Sequence, residues 1–318
     1  MATTTRETAV LTLAAIRSSK RKSTEYLFNE RQRIYVLADR VAEDPSSIRL
    51  LKAADRTLRP LTVALDARRG TIQRVAEPSK RELDEFVQTR VLLENPSKVV
   101  RVEVAKIDPT TFNFVDLYQK WPVFRRCTKI VPSYAKAQEI FDFCAQLACH
   151  LPGPYAVAPC IPFQYVRDGC YARAHQMRRI ITTRYRYCCE KVFSFANQNN
   201  DTLAVQANKW GGCCVTWWYH VAPLIRVRLR IKGYPRISLT LAMVIDPGMF
   251  DKPVLLSTWL TAQQSTSCNA NAHVSMYSIQ PGSAYWPTNY AGTAFGTDAT
   301  YTLTEGTLVA YSGLTTCP

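Results

Sequence analysis

The sequence DGCYARAHQMRRII, residues 168–181, combines the strongest structural and chemical signals in the chain. Asp168 and Gly169 form a turn-like entry to a predicted helix. Side chains on one face of that helix recur at helical spacing: Cys170, Ala174, Met177 and Ile181. Cys170 therefore lies at a helix start, where free N–H groups and the positive end of the dipole stabilise a thiolate and a developing oxyanion. This position predicts a nucleophile, and a buried structural cysteine or half of a disulfide is the alternative.

A thiol nucleophile needs an imidazole within hydrogen-bond reach, and the chain has 4 histidines. His150 borders a proline-rich loop and His273 lies in a polar tail, so neither has rigid support. His175 lies on the predicted helix of Cys170 but is rotated away from it, which favours a packing or capping role. His220 lies in CCVTWWYHVAPLI, a predicted strand whose aromatic residues suit a dry, fixed imidazole. We therefore expect His220 to be the base.

The third candidate is Asp246, which ends the apolar run ISLTLAMVIDP before Pro247. A carboxylate at a strand end can accept the second imidazole N–H and fix the histidine tautomer. The alternative is a simple turn former. The order of cysteine on a helix, then histidine and aspartate on later strands, is typical of papain-like and transglutaminase-like enzymes.

Three segments together resemble the core motifs of the bacterial protein-glutaminase (protein-glutamine glutaminase) family: DGCYARAHQMRRI, GGCCVTWWYHVA and IDPGMF. CIPFQY at Cys160 and TSC at Cys268 add to this resemblance, which covers about residues 130–318. It implies a Cys170, His220 and Asp246 triad, a transglutaminase-like fold and a glutamine substrate bound in a protein or peptide. It also implies an amino-terminal pro-region that inhibits the enzyme intramolecularly by blocking the cleft until proteolysis.

We expect an α+β fold: a transglutaminase/papain-like core, with the cysteine helix packed on an antiparallel sheet, preceded by a smaller α/β pro-like domain. All 11 cysteines follow residue 126, which predicts an amino-terminal pro-like or regulatory region at 1–128 and a catalytic domain at 129–318. Periodicity predicts helices at 22–43, 79–93, 135–149 and from 172, and strands at 98–107, 213–224 and 237–245. The strand at 98–107 is either an edge strand or an extended segment that fills a cleft. The polar composition of the tail from residue 261 predicts loops and short strands.

The expected reaction is deamidation of glutamine to glutamate with ammonia release, through a Cys170 thioester and without metal or organic cofactor. Transglutaminase-type transfer to a lysine amine and peptide-bond cleavage by a cysteine protease are alternatives that use the same thiol. A disulfide-rich or zinc-binding adhesion module is the non-enzymatic alternative, with Cys188, Cys189, Cys213 and Cys214 as its cluster. Adjacent cysteines lack the C-x-x-C spacing of common zinc sites, which disfavours that alternative.

The composition is that of a folded globular protein, with 47% hydrophobic and 20% charged residues. The net charge of +15 permits anionic partners, but the basic residues are scattered and the run at Lys20 is short, so we expect no nucleic-acid function. An odd set of 11 cysteines leaves ten for up to five bridges once a nucleophile is set aside, which favours secretion or another export to an oxidising compartment. The sequence shows no clear signal peptide and no apolar stretch long enough to span a membrane.

Overall fold

The computed structural model describes residues 6–19, 23–57, 59–91, 101–103, 129–231 and 234–317. Its strands are β1 (Arg6–Ser18), β2 (Thr24–Phe28), β3 (Ile34–Leu37), β4 (Pro60–Asp66), β5 (Thr71–Ala76), β6 (Arg101–Glu103), β7 (Glu190–Phe195), β8 (Leu203–Gln206), β9 (Cys214–Trp217), β10 (Tyr219–Ile231), β11 (Tyr234–Val244), β12 (Val254–Leu255), β13 (Met276–Gln280), β14 (Ala284–Pro287) and β15 (Phe295–Thr297). Its helices are α1 (Asp39–Ala42), α2 (Pro45–Thr57), α3 (Lys80–Val91), α4 (Tyr134–Ala145), α5 (Cys170–Thr183), α6 (Leu256–Thr261) and α7 (Thr302–Tyr311).

The amino-terminal strands close into a small barrel in the order β1-β2-β3-β5-β4. Alternate side chains of these strands point inward, and the barrel has a hydrophobic core of its own in which Leu13, Phe28, Val63 and Ile72 are fully buried. Helix α2 closes this core with Leu51. Between β2 and β3 the chain does not turn in solvent, because residues 29–33 are all buried.

The second part of the chain is built on a six-stranded sheet in the order β12-β11-β10-β7-β13-β6. Its pairings are antiparallel. Side chains alternate between two buried faces: Phe193 and Val221 join one hydrophobic cluster, whereas Val192 and Ala222 join the other. The first cluster includes α4 and α5, and the second includes α6 with the β8–β9 hairpin. Both faces of the sheet are therefore covered by helices or by the hairpin, and packing on the sheet sets the positions of these elements.

These observations confirm the α+β class, with a cysteine helix packed on an antiparallel sheet and a smaller domain before it. The helix at 79–93 is confirmed as α3, that at 135–149 as the shorter α4, and the helix at 172 begins already at Cys170. Strand β6 confirms residues 101–103 of the extended segment as an edge strand of the catalytic sheet, and the rest of 98–107 lies outside the described residues. The boundary between 1–128 and 129–318 stays a prediction.

The helix at 22–43 is wrong. This segment instead forms β2, the buried turn 29–33, β3 and α1. The apolar residues Leu27, Ile34 and Leu37 have helix-like spacing, but they belong to two strands joined by a turn that other parts of the fold bury. The prediction for the tail was incomplete, because it missed α7 between the expected loops and short strands.

Three disulfides join Cys149 to Cys160, Cys213 to Cys317 and Cys214 to Cys268. Cys188 is also disulfide-bonded. Cys144 and Cys189 are buried free thiols, so the ten non-nucleophilic cysteines do not form five bridges. None of the helices in the described part of the chain has the length and apolarity that crossing a membrane requires.

Candidate active site

Gly169 caps the start of α5 with a left-handed backbone, φ +78°. A side chain there would meet the ring of Tyr311, since a Cβ would lie 2.8 Å from its Cδ2 atom. Asp168 fixes this turn, because its carboxylate accepts the Gly169 N–H at 2.8 Å. The Asp-Gly pair therefore directs the first residue of the helix, Cys170, toward strand β10 of the sheet.

The Cys170 thiol is free and only 1% exposed. Burial raises its pKa, and the nearby carboxylates of Asp168 and Asp246 raise it further, whereas the Arg173 guanidinium and the Val221 N–H lower it. Val221 follows His220 on β10, so the sulfur lies beside the strand that carries the predicted base. In this enclosed state the net effect of burial keeps the thiol protonated at neutral pH.

His220 and Asp246 are in direct contact. His220 Nε2 lies 2.9 Å from Asp246 Oδ2, and both side chains are buried. The same oxygen accepts the Trp259 indole N–H at 3.0 Å. Burial alone would raise the pKa of Asp246, but the hydrogen bonds from His220 and Trp259 outweigh it and lower that pKa overall. Asp246 is therefore an ionised acceptor for the imidazole.

Aromatic rings fix the plane of the His220 imidazole. Trp217 stacks nearly parallel to it, with ring centroids 4.6 Å apart, and Trp259 stacks at 5.4 Å. His220 Nδ1 is buried and makes no hydrogen bond. With Nε2 committed to Asp246, Nδ1 is the nitrogen available to a thiol, although it does not hydrogen-bond Cys170 in this state.

The turn at residues 29–33 of the amino-terminal region closes the site. Its backbone bonds to the segments that carry Cys170 and His220: Gln32 N–H donates to Asp168 Oδ1 at 3.3 Å, and Trp218 N–H donates to the Gln32 carbonyl at 3.0 Å. Trp218 also donates its indole N–H to the Arg31 carbonyl at 2.7 Å. The Arg31 guanidinium reaches Tyr171 OH at 3.2 Å and Asp168 at 3.5 Å. These bonds place amino-terminal residues directly over the candidate site.

The other histidines lie elsewhere. His175 is buried, with Nε2 donating to the Asp298 carbonyl at 3.0 Å and Nδ1 accepting from Lys191 at 2.7 Å. His150 packs edge-on against Trp210, and His273 is exposed. Of the cysteines proposed for a zinc cluster, Cys213 and Cys214 are both in disulfides, so that cluster does not exist as thiolate ligands.

Sequence reasoning missed two contributors to the site. Trp259, on the short helix α6, bonds Asp246, but no local pattern links it to a strand thirteen residues earlier. Gln32 lies in the segment for which periodicity predicts a helix, so its contacts with the segments that carry Cys170 and His220 could not be predicted. Both reach the site through tertiary contacts alone.

Comparisons with known proteins match this chain to glutaminases. A family described as glutaminase matches residues 137–263. Two crystal structures of pro-protein-glutaminase, one of them a mutant, are each 25% identical and cover 98% of this chain and 95% of their own, with TM-scores of 0.69 and 0.68. A crystal structure of protein-glutaminase is 32% identical, covers 60% of this chain and 92% of its own, and has a TM-score of 0.50. The search of curated proteins found no match.

Proposed function

Since the chain belongs to the protein-glutaminase family, we propose that Cys170, His220 and Asp246 form the triad with which it deamidates glutamine side chains of proteins. The observation that carries the assignment is the bond between His220 Nε2 and Asp246 Oδ2, which leaves Nδ1 to the thiol. Asp246 thereby fixes the tautomer in which Nδ1 can accept a proton. The chain needs neither metal nor organic cofactor for this chemistry.

In the first half of the reaction, His220 accepts the Cys170 proton through Nδ1 and the sulfur attacks the carbon of the glutamine side-chain amide. The Cys170 N–H at the start of α5 stabilises the oxyanion, aided by the positive end of the helix dipole. His220 then returns the proton to the departing nitrogen. Ammonia leaves, and a thioester joins Cys170 to the substrate.

In the second half, water replaces ammonia. His220 accepts a proton from this water as its oxygen attacks the thioester carbonyl. The thiol is expelled and protonated, and the substrate keeps a glutamate side chain. Each turnover consumes one water, releases one ammonia and one proton, together an ammonium ion, and adds one negative charge to the substrate. A lysine amine in place of water would give the cross-link of a transglutaminase.

We assign residues 1–128 to a pro-region that holds the enzyme latent and 129–318 to the catalytic domain. Buried arginines support this assignment. Arg17 of β1 donates to the carbonyls of Ala196 and Asp201 at 3.0 and 2.7 Å. Together with Arg31 and the backbone of residues 31–32, it docks the barrel against the catalytic sheet. The site is enclosed as long as this docking persists.

The disulfides support export to an oxidising compartment. The disulfide between Cys213 and Cys317 joins two residues that are 104 positions apart in the sequence. Closing so long a loop stabilises the fold, and the bridge persists where the surroundings keep thiols oxidised. A reducing compartment would remove these bridges around the sheet. Secretion or another route to an oxidising space is therefore part of the proposal.

Intact-mass analysis of a glutamine-rich protein tests the function. The full chain, the chain from residue 129 and its Cys170→Ala variant are incubated with the protein, with and without a primary amine. We expect amide-to-acid conversion and ammonia release by the shorter chain, little by the full chain and none by Cys170→Ala. Stoichiometric amine incorporation would support acyl transfer instead, and fragments of the substrate would support a protease.

A further inference from the structure

A buried arginine, Arg173, follows Cys170 by one turn of α5, and only 3% of it is exposed. Its Nη1 atom donates to the carbonyls of Tyr165 and Asp168 at 2.7 and 2.6 Å. A Cβ on Gly169 would lie 3.5 Å from the same nitrogen. Helical side chains point toward the amino end of their helix, and this guanidinium is folded back in that way. It therefore lies over the start of α5, beside the residue that precedes Cys170.

This position is unfavourable for a cation. The start of a helix is the positive end of its dipole, and a buried charge is costly without an opposite charge. Among the described residues Arg173 forms no ion pair, because its bonds go to two neutral carbonyls. The carboxylate of Asp168 instead pairs with Arg31 at 3.5 Å and accepts the Gly169 N–H. The positive charge of Arg173 thus stays unmatched at the start of the helix.

A negative charge arises at this point when Cys170 ionises. Burial raises the pKa of the Cys170 thiol, and Arg173 has the largest opposing effect, ahead of the Val221 N–H. Arg173 also helps to lower the pKa of Asp246, in addition to the bonds that Asp246 accepts from His220 and Trp259. One buried guanidinium therefore acts on both the thiol and the acid.

Other ionisable groups surround Cys170 on the elements packed against it: Asp168 before α5, Lys191 on β7, Tyr219 and His220 on β10, and Asp246 after β11. The two carboxylates oppose a thiolate, the phenol carries no charge, and the imidazole is the proposed proton acceptor. Burial lowers the pKa of Lys191 well below the ordinary lysine value, and its amine bonds His175 at 2.7 Å. An arginine keeps its charge even when buried, so Arg173 is the stronger cation near the thiol.

We propose that Arg173 is a positioning residue of the reaction, whose unpaired charge stabilises the Cys170 thiolate and so allows the nucleophile to form in a buried site. This inference rests on the proposed function. The step concerned is proton transfer from the Cys170 thiol to His220 Nδ1, which leaves a thiolate and an imidazolium. Arg173 stabilises the negative partner, and Asp246 stabilises the positive one. The two charges thus act at opposite ends of the same pair.

The pH dependence of Cys170 alkylation tests this role without a substrate. The full chain is activated by proteolysis, and its reaction with iodoacetamide is followed for wild type, Arg173→Gln and Arg173→Lys. Glutamine keeps a donor for the two carbonyls but no charge, whereas lysine keeps the charge without the planar fork. We expect the midpoint pH of alkylation to rise by about one unit or more in Arg173→Gln and to change by less than about half a unit in Arg173→Lys.

Arg178→Gln is the matched control, because it removes a charge from the same helix at a side chain that bonds Tyr301 OH. Its midpoint should equal that of the wild type. An unchanged midpoint in Arg173→Gln would overturn the inference. Equal shifts in Arg173→Gln and Arg173→Lys would also overturn it, since the bonds to the carbonyls and not the charge would then matter. If the cleaved Arg173→Gln protein unfolds, the uncleaved chain, in which the docked amino-terminal region supports the fold, gives the same comparison.

The two proposals fail in different ways. If the midpoint is unchanged in Arg173→Gln while the activated wild type deamidates an added protein through Cys170, this inference is overturned and the proposed function stands. If the midpoint shifts but the activated wild type releases no ammonia from any protein, the proposed function is overturned, and with it the role of Arg173 in deamidation.

Discussion

His220 presents Nε2 to Asp246 at 2.9 Å, while its Nδ1 is buried without a partner. In the proposed mechanism this asymmetry leaves Nδ1 as the nitrogen that accepts the proton of the Cys170 thiol. The Asp246 carboxylate accepts a second bond from Trp259, so its position does not depend on the imidazole alone. The contact with Asp246 and the two stacked rings hold the plane of the imidazole.

Replacing the acid should damage catalysis more than stability. Asp246→Asn keeps the shape of the side chain but offers an amide that does not enforce the tautomer, so we expect kcat to fall at least about a hundredfold. Steady-state ammonia release by the activated enzyme measures it. The control is Asp298→Asn, another buried acid, which binds Thr304 and not a catalytic residue. An equal loss of kcat in the control would contradict the assignment.

The turn before Cys170 should tolerate no side chain. Gly169→Ala requires a left-handed alanine and places its Cβ against Tyr311, so we expect the free energy of unfolding to fall by about 1–3 kcal/mol. Gly306→Ala is the matched control, because nothing lies within 4 Å of that Cβ in α7. This control should gain about 0.5–1 kcal/mol from helix propensity. Denaturant unfolding measures both variants, and equal changes would contradict the account.

The reactivity of Cys170 should depend on the amino-terminal region. Burial raises its thiol pKa in the full chain, so alkylation by iodoacetamide should be slow at neutral pH and rise only under alkaline conditions. Cleavage between residues 103 and 129, followed by loss of the pro-region, should expose the thiol and shift the reactive range toward neutral pH. Identical pH–rate profiles before and after release would refute a role for residues 29–33 in latency.

Acid should destabilise the catalytic core through His175. Burial, together with the charge of Lys191, lowers the pKa of His175 to about 2. The unfolded chain therefore binds this proton more tightly, so the stability it contributes is complete above the ordinary histidine pKa and is lost as pH falls toward 2. We expect a loss of about 1.4 kcal/mol per pH unit below that value. Below the ordinary histidine pKa, the slope of the unfolding free energy against pH should be smaller in His175→Gln than in the wild type, by an amount that corresponds to up to one bound proton. His273→Gln is the control for removing a histidine.

Local chemistry made much of the site predictable. The Asp-Gly turn, the helix that follows it and the strand that ends just before Asp246 carry strong local signals and lie where they were expected. The strand predicted at 213–224 is instead two strands of different sheets, β9 and β10, and His220 lies near the start of β10. The glycine requirement and the helix start come from backbone preferences alone.

The barrel and the closing turn could not be predicted in this way. All five residues at 29–33 carry charged or amide side chains that would ordinarily face solvent, but all are buried. Arg31 and Gln32 bond to segments more than a hundred residues away along the chain. Helix α7 was missed because its threonines and Gly306 have poor helix propensity, and packing against α5 decides its conformation.

Trapping the acyl-enzyme tests the central claim most directly. The activated chain is mixed with a short peptide that contains one glutamine, quenched in acid and mapped by mass spectrometry. We predict a fragment in which Cys170 carries the peptide less ammonia, with no adduct on Cys144 or Cys189. Normal turnover by Cys170→Ala, or an adduct on either of the other two thiols, would contradict the account.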